Sequence, residues 1–424
     1  MTENKKAATP GWRKLLGPGL VAGAADDDPS GVATYSQAGA AFGYGLLWAV
    51  MLTTPLMLAV QLVSARIGRI TGAGVVANAR AHLPRGVAHG LVVLMLVANV
   101  ANIAADLAAM GEALKLILQG SQRNYALAFG AAGLLAQILV PYRRYAGFLR
   151  WSTLALFTYV AAAFAVEIDW RAALRGALLP NVGWGREAMM MVVAVLGTTI
   201  SPYLFVWQAA QEIEEMRVGH KGPLRDASAR RELRRLRVDT GVGVILSNLV
   251  AFFIMLTTAA TLNAHGVSGI DTAAQAAEAL RPLAGDFAFF LFALGIIGTG
   301  LLAIPVLAGS AAYAVSDVIG GKFSLEAPFA RAPGFYGIVI IATLLGAALD
   351  FTSIPPMQML LWTAVLNGII APPFLFAMMI VSGNARAMGA HVSPKWLSAL
   401  GWIATAAMTF AVLLLAISTF GFDL

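Results

Sequence analysis

The chain of 424 residues contains no cysteine and few charged residues. The absence of cysteine excludes disulfides, thiolate metal ligands and a cysteine nucleophile. Only 12% of the residues are charged and 59% are hydrophobic, whereas a soluble domain carries about 25% charged residues. Such a chain cannot cover itself with a water-facing surface. Apolar stretches of about 20 residues recur along it, long enough to span a bilayer as helices. We therefore predict an all-α polytopic membrane protein.

Eleven membrane segments are predicted, and they form a single transmembrane domain over residues 1–424, since no stretch is polar enough to fold as a separate soluble domain. The N-terminal apolar run contains Gly17-Pro18-Gly19, which makes it a poor core for a cleavable signal peptide. The approximate limits of the segments are 14–41, 45–68, 87–117, 124–142, 145–167, 187–213, 240–263, 284–317, 334–350, 355–382 and 396–420.

The net charge of +7 is distributed over loops and does not form one surface patch. By the predicted spans, about 23 of the 29 lysines and arginines lie in alternate loops, which is the positive-inside pattern of a cell-membrane protein. The pattern predicts a cytoplasmic N-terminus and an extracytoplasmic C-terminus, and it argues against a nucleic-acid partner. The loop 214–239 is predicted to be a hydrophilic anchor facing anionic lipid, with a regulatory site as the alternative.

Two of the predicted spans are interrupted by helix-breaking residues. The first span contains GAADDDPSGVATYSQ and breaks at Asp28-Pro29-Ser30-Gly31, where the proline lacks an amide donor and the glycine permits unusual dihedral angles. The sixth span contains GTTISPYLF, in which Gly197 and Pro202 bracket three hydroxyl residues. A broken helix is tolerated in lipid only where its freed backbone groups are buried in protein or line a wet cavity. Breaks five spans apart have opposite topology, which indicates an inverted-repeat transporter with its site at the bilayer midplane.

The carboxylate at the first break predicts a cation site. Asp28, the backbone carbonyls freed by the breaks and the hydroxyls near Ser201 would form an all-oxygen site, which suits hard cations such as Mg²⁺, Ca²⁺ or Mn²⁺. A carboxylate within the membrane is costly to insert and therefore indicates function. Asp26 and Asp27 allow two interpretations: they ligate the ion directly, or they face a wet vestibule and attract cations.

The stretch GPGLVAGAADDDPSGVATYSQAGAAFGYGLLW resembles the first helix of the NRAMP divalent-metal transporters, whose motif reads Asp-Pro-Gly-Asn. The second break resembles their sixth-helix motif, in which Ala precedes Met-Pro-His. The resemblance covers essentially the whole chain. It implies the LeuT-type fold, with a five-plus-five inverted repeat (about 14–167 and 187–382) and one additional helix (about 396–420).

This chain keeps the family's aspartate, as Asp28, but differs from the family at the other ligand positions. The family's Asn falls on Gly31, its Ala on Thr198 and its Met on Ser201, which looks like the NRAMP-related magnesium transporters. A hydroxyl, unlike a thioether, does not disfavour hard ions, and Mg²⁺ dehydrates reluctantly, so that few protein ligands suit it. Asn367 in the tenth span allows two interpretations: it supplies an oxygen to the ion, or it packs against a neighbouring helix. The candidate metal ligands are Asp28, Gly31, Ala25, Thr198, Ser201, Asp27 and Asn367.

A polar path is predicted on the third span. Asn99, Asn102 and Asp106 follow i, i+3, i+7 spacing, and they either bond neighbouring helices or line the aqueous path. The stretch DLAAMGE resembles the NRAMP Asp-Leu-Ala-Glu motif used in proton movement, with Asp106 retained and the glutamate replaced by Ala109. The histidine of the sixth-helix motif falls on Tyr203. Asn102, Asp106 and Tyr203 are therefore candidate path residues.

The predicted function is secondary transport of Mg²⁺ and/or Mn²⁺ without proton coupling, because neither Ala109 nor Tyr203 can shuttle a proton near neutral pH. One alternative is a proton-coupled Mn²⁺/Fe²⁺ symporter of the NRAMP type, in which Asp106 and Glu112 form a substitute relay. A LeuT-fold carrier of an organic solute is another. The sequence contains no convergent catalytic set, so no enzyme and no cofactor are predicted. The expected partners are the divalent ion and the lipid bilayer, and the oligomeric state stays open.

Overall fold

The structure is a computed structural model, and it describes residues 18–140, 152–181, 183, 185–218, 224, 226–320, 325, 327–350, 352 and 354–420. Within these ranges the chain folds into helices joined by turns and short 3₁₀ segments, without a strand. In chain order the helices are α1 (Pro18–Asp26), α2 (Pro29–Phe42), α3 (Leu47–Thr71), α4 (Val75–His82), α5 (Arg85–Lys115), α6 (Gln122–Leu139), α7 (Phe157–Ala163), α8 (Trp170–Leu178), α9 (Arg186–Thr199), α10 (Pro202–Val218), α11 (Asp226–Thr261), α12 (Ala273–Glu278), α13 (Arg281–Ala284), α14 (Ala288–Ile319), α15 (Pro333–Leu349), α16 (Pro356–Gly383), α17 (Ala385–Met388) and α18 (Lys395–Phe420).

The first and sixth predicted spans are each split into two half-helices, as the sequence predicted. The first span consists of α1 and α2, and the sixth of α9 and α10. Pro29 begins α2 and Pro202 begins α10. A proline is tolerated at this position because the amides of a first helical turn have no partner within the helix. The local chemistry of proline therefore places both breaks.

The long apolar helices agree in position with the predicted spans. Seven described helical stretches are long and apolar enough to cross a membrane, and two shorter apolar helices lie at Leu154–Ala163 and Pro333–Leu349. Part of the fifth predicted span, 145–167, lies outside the described residues. The total of eleven spans therefore stays a prediction.

The prediction that 214–239 is a loop is wrong for most of this segment. Helix α10 continues to Val218, and α11 already begins at Asp226. Arg235 explains this, because its guanidinium pairs with Glu212 of α10 at 2.7 Å and with Glu232 one turn earlier on α11 at 3.1 Å. Such pairs support helices whose composition alone resembles that of a loop. Residues 219–223 and 225 lie outside the described part.

The half-helices are enclosed by the long helices. Helix α5 packs against α6, α14, α15 and α16, while α11 packs against α1, α2 and α3. Helix α9 lies on α16, and α10 lies between α3 and α14. Both breaks are therefore surrounded by protein, which is the condition under which lipid tolerates an interrupted helix.

Two glycines bring α1 and α11 into backbone contact. A Cβ at Gly19 would lie 2.6 Å from the amide nitrogen of Thr240, and one at Gly23 would overlap the carbonyl of Gly243. Any side chain at either position would push the two helices apart. This approach brings the end of α1, with its aspartates, against the middle of α11.

Candidate metal site

Asp28 is buried at the first break and is held by donors from two helices. Its Oδ1 accepts a hydrogen bond from the amide of Gly31 at 2.7 Å, which caps α2. Its Oδ2 accepts one from the hydroxyl of Tyr203, the second residue of α10, at 2.9 Å. The same hydroxyl lies 3.4 Å from the carbonyl oxygen of Ala25. Tyr203 thereby links the second broken helix to the first at the predicted ligand.

Further oxygen atoms face Gly31. A Cβ built on this glycine would lie 3.2 Å from both the carbonyl oxygen of Asp26 and Oγ1 of Thr198. The α-carbon therefore lies directly against one oxygen from each broken helix, and a larger residue would crowd them. The structure thus brings four of the predicted ligands, Asp28, Gly31, Ala25 and Thr198, to one place.

Ser201 lies at the second break, and its hydroxyl bonds to its own helix end. Its Oγ lies 2.7 Å from the carbonyl oxygen of Gly197 and 2.9 Å from that of Thr198, and its one hydrogen bonds to one of them at a time. The bond satisfies a carbonyl at the end of α9, where Pro202 supplies no amide. A hydroxyl that donates its hydrogen keeps its lone pairs, so this oxygen can still face a cation.

Asp26 and Asp27 do not line an open vestibule, and that interpretation is wrong for this structure. They are 0% and 5% exposed. Oγ of Ser247 on α11 lies 2.7 Å from Oδ2 of Asp26 and 3.1 Å from Oδ1 of Asp27. A serine carries one hydrogen and can donate to only one carboxylate at a time. The sequence reasoning missed Ser247, although Ser247-Asn248 is a polar pair inside an apolar span and could have been noticed.

Asn367 pairs with Asn102 across α16 and α5. The Nδ2 of Asn102 donates to Oδ1 of Asn367 at 3.1 Å, and the reverse contact measures 3.2 Å. Asn99, one turn earlier on α5, donates to the carbonyl of Leu307 at 2.7 Å and to Oγ of Ser310 at 2.8 Å. These bonds favour the helix-packing interpretation of Asn99, Asn102 and Asn367.

Asp106 is fully buried on α5, and within the described residues neither of its carboxylate oxygens has a hydrogen-bond partner. Glu112, further along α5, accepts a hydrogen bond from the amide of Ala273 at 3.0 Å. Glu112 thus holds the start of α12 against the end of α5. Of the two candidate relay residues, only Asp106 is unpartnered in the interior.

The region carries excess negative charge. Within the described residues, Asp26, Asp27, Asp28 and Asp106 form no ion pair with a lysine or arginine, and no three His, Asp or Glu side chains are placed to hold a metal together. An uncompensated carboxylate in the membrane favours a bound cation. Any ion at Asp28 must therefore rely on one carboxylate together with carbonyls, hydroxyls and water.

Sequence comparison relates the chain to divalent metal transporters. The family described as natural resistance-associated macrophage protein-like (Nramp) matches residues 19–418. The divalent metal cation transporter MntH of Klebsiella pneumoniae (strain 342) is 28% identical over 401 residues, which cover 92% of this chain and 91% of that protein. MntH of Yersinia pestis (strain Pestoides F) is 29% identical over 398 residues, which cover 91% and 90%.

Structural comparison shows the fold. A mutant of the manganese transporter of Eremococcus coleocola superposes with a TM-score of 0.75 at 17% identity, over 100% of this chain and 91% of that chain. Mhp1 in an inward-facing conformation superposes with a TM-score of 0.55 at 12% identity, over 95% of this chain and 90% of that chain. The fold is the all-α LeuT-type transporter fold, as the sequence predicted.

Proposed function

Because the chain belongs to the Nramp family of divalent metal transporters, we propose that it carries Mg²⁺ and Mn²⁺ across the cell membrane without moving protons. Asp28 is the observation that supports this most directly. It is a buried carboxylate at a helix break, and carbonyl and hydroxyl oxygens from both broken helices lie around it. Hard cations prefer such a set of ligands.

The ion is proposed to bind in a partly hydrated form. Asp28 supplies the charge that offsets part of the cost of dehydration, and Ala25, Thr198 and Ser201 supply neutral oxygens. Mg²⁺ holds its waters firmly and is usually bound by one or two carboxylates. In the described structure the hydroxyl of Tyr203 donates to Oδ2 of Asp28, so this contact must lengthen or rearrange when a cation binds that oxygen.

Downhill entry needs no proton gradient. With the N-terminus in the cytoplasm, as the basic loops predict, an inside-negative potential of 100 mV adds about 4.6 kcal/mol of inward drive for a divalent ion. Ala109 stands where the family's relay carries a glutamate, and it cannot accept a proton. The glutamate and the histidine of the family's relay are therefore replaced, by Ala109 and Tyr203, whereas Asp106 and the site carboxylate Asp28 are retained.

A proton-coupled Mn²⁺ symporter is the second candidate, and the unpartnered carboxylate of Asp106 favours it. A carrier of an organic solute is less well supported. An anionic solute would be repelled by the carboxylate of Asp28 at the break. The likeness to Mhp1 extends to the fold alone.

The test is ion flux into proteoliposomes loaded with a Mg²⁺- or Mn²⁺-sensitive dye. Asp28→Asn retains an oxygen that can cap α2 and removes the charge, so flux of both ions should fall by at least about tenfold in a protein that still folds. Asp350→Asn removes another largely buried carboxylate, at the end of α15, and should leave flux unchanged. Undiminished flux in Asp28→Asn would refute the site, and transport of alanine but of neither ion would refute the function.

A further inference from the structure

One turn of α11 contacts both half-helices that lead away from the site. Arg235 and Asp239 are four residues apart and share a face of the helix. Arg235 pairs with Glu212 of α10 at 2.7 Å. Oδ2 of Asp239 accepts a hydrogen bond from the amide of Gly19, at the start of α1, at 2.8 Å. Helix α1 precedes the first break and α10 follows the second, so this turn joins their far ends.

The contact between Asp239 and α1 is buried and is assisted by charge. The first amides of a helix lack partners within the helix and carry partial positive charge. A carboxylate from another helix satisfies one of them here, and hydrogen bonds to charged groups are the stronger kind. Gly19 and Gly23 allow α1 to lie directly on the backbone of α11. Helix α1 is therefore fixed to α11 along its length.

The contact between Arg235 and α10 is equally enclosed. The Arg235 side chain is 14% exposed and that of Glu212 is fully buried. Arg235 also pairs with Glu215 of α10 at 3.1 Å and with Glu232 at 3.1 Å. Removing the guanidinium would leave Glu212 buried without its counter-charge, which is strongly unfavourable.

Asp28 lies at the opposite end of these two half-helices. Its carboxylate is enclosed where Tyr203 of α10 reaches Asp28 and Ala25. Any route from Asp28 along α1 towards the membrane face on which α1 begins must pass between α1 and its neighbours. The contacts at the far ends of α1 and α10 therefore control whether that route can open.

We infer that the turn from Arg235 to Asp239 is a latch that closes this route and makes α1 and α10 move together. Since both half-helices are fastened to the same turn, loosening one contact shifts the turn and weakens the other. Asp239 and Arg235 are positioning residues: they lie away from the ion site and act on it through the half-helices. The role in ion release rests on the proposed function, whereas the latch itself is measured without transport.

The absence of cysteine makes the experiment direct, because a single introduced thiol is the only one in the chain. Ala22 on α1 and Ala210 on α10 are both buried and serve as reporters when each is changed to cysteine. A membrane-impermeant maleimide is applied to the face on which α1 begins. Asp239→Asn, which touches α1 directly, should raise the labelling rate at both reporters by about tenfold.

The controls separate the latch from general damage. Asp317→Asn removes a half-buried carboxylate that accepts a hydrogen bond from the amide of Ala77 at 3.1 Å and should leave both labelling rates unchanged. Gly19→Ala forces α1 off α11 while keeping Asp239, and it should raise labelling at both reporters. An unchanged rate at both sites in Asp239→Asn and Gly19→Ala would overturn the latch. A rise at Ala22→Cys alone would overturn the coupling. Because labelling is measured without ions, its result does not depend on whether the protein transports them.

Discussion

On the proposed function, an incoming cation would compete with the hydroxyl of Tyr203 for Oδ2 of Asp28. Tyr203→Phe removes that hydroxyl but keeps the ring. The ion-free state then loses its hydrogen bond to Asp28, whereas the ion-bound state, in which the cation occupies that oxygen, loses nothing. We expect KM for Mn²⁺ to fall by about three- to tenfold, in line with the modest net value of one hydrogen bond to a charged group. Initial uptake rates over a range of Mn²⁺ concentrations measure this. A higher KM would mean that the hydroxyl itself binds the ion.

Ser201 is the residue at which a single change should alter ion preference. Ser201→Met replaces a hard oxygen by a soft thioether and removes the hydroxyl that bonds to Gly197 and Thr198. Flux of Cd²⁺ and Mn²⁺ should rise relative to Mg²⁺ by about tenfold. Ser201→Ala, which loses the hydroxyl without adding sulfur, is the matched control. Equal preference in the two variants would place selectivity elsewhere.

Among the residues, those at the breaks were predictable, whereas the partners of the aspartates were not. Pro29 and Gly31 act through local backbone chemistry, so the sequence predicted the break, whereas the capping of α2 by Asp28 appears only in the structure. The side chains of Asp26 and Asp27 could not be oriented, because their direction depends on how α1 lies on α11. That packing is set by Gly19 and Gly23, and its effect appears only when both helices are present.

At the scale of the elements, the link between α5 and α16 is a reciprocal amide pair. Asn102→Leu or Asn367→Leu alone leaves one buried amide without its partner and should lower the free energy of unfolding by about 1–3 kcal/mol. The double variant should lose less than the sum of the two, because no orphaned amide remains. Thermal unfolding in detergent measures the cycle. If Asn367 were a ligand, its single variant would also weaken Mn²⁺ binding by more than Asn102→Leu does.

The helices themselves were predictable to different degrees. Long apolar runs predicted α5, α14, α16 and α18 to within a few residues, because burial in lipid and protein imposes one simple requirement on composition. The start of α11 was not predicted. Its first turns are highly charged, and they are stabilised by Glu212 and Glu215 on another helix. A pattern read along one segment contains no information about such a partner.

At the scale of the whole molecule, the proposed transport without protons would make each turnover carry two charges. An imposed inside-negative potential of 100 mV should therefore accumulate Mn²⁺ by roughly a thousandfold or more, while a pH-sensitive dye in the lumen stays silent. The measurement is simultaneous recording of both dyes in proteoliposomes. Acidification that follows Mn²⁺ entry and disappears in Asp106→Asn would instead establish the proton-coupled symporter. If Asp106→Asn abolishes Mn²⁺ entry and the lumen never acidifies, Asp106 lines the ion path and carries no protons.

The length of α11 has a consequence for the surrounding lipid. Its 36 residues make a rod of about 54 Å, whereas the hydrocarbon core of a bilayer measures about 30 Å. With the predicted span 240–263 in the core, the charged first turns would project about 20 Å beyond it, and we expect the Arg235–Asp239 turn at the level of the headgroups. A thicker or thinner membrane shifts that level relative to the shorter half-helices. If the latch controls the route along α1, we expect its opening to depend on membrane thickness and so on the lipids around the protein.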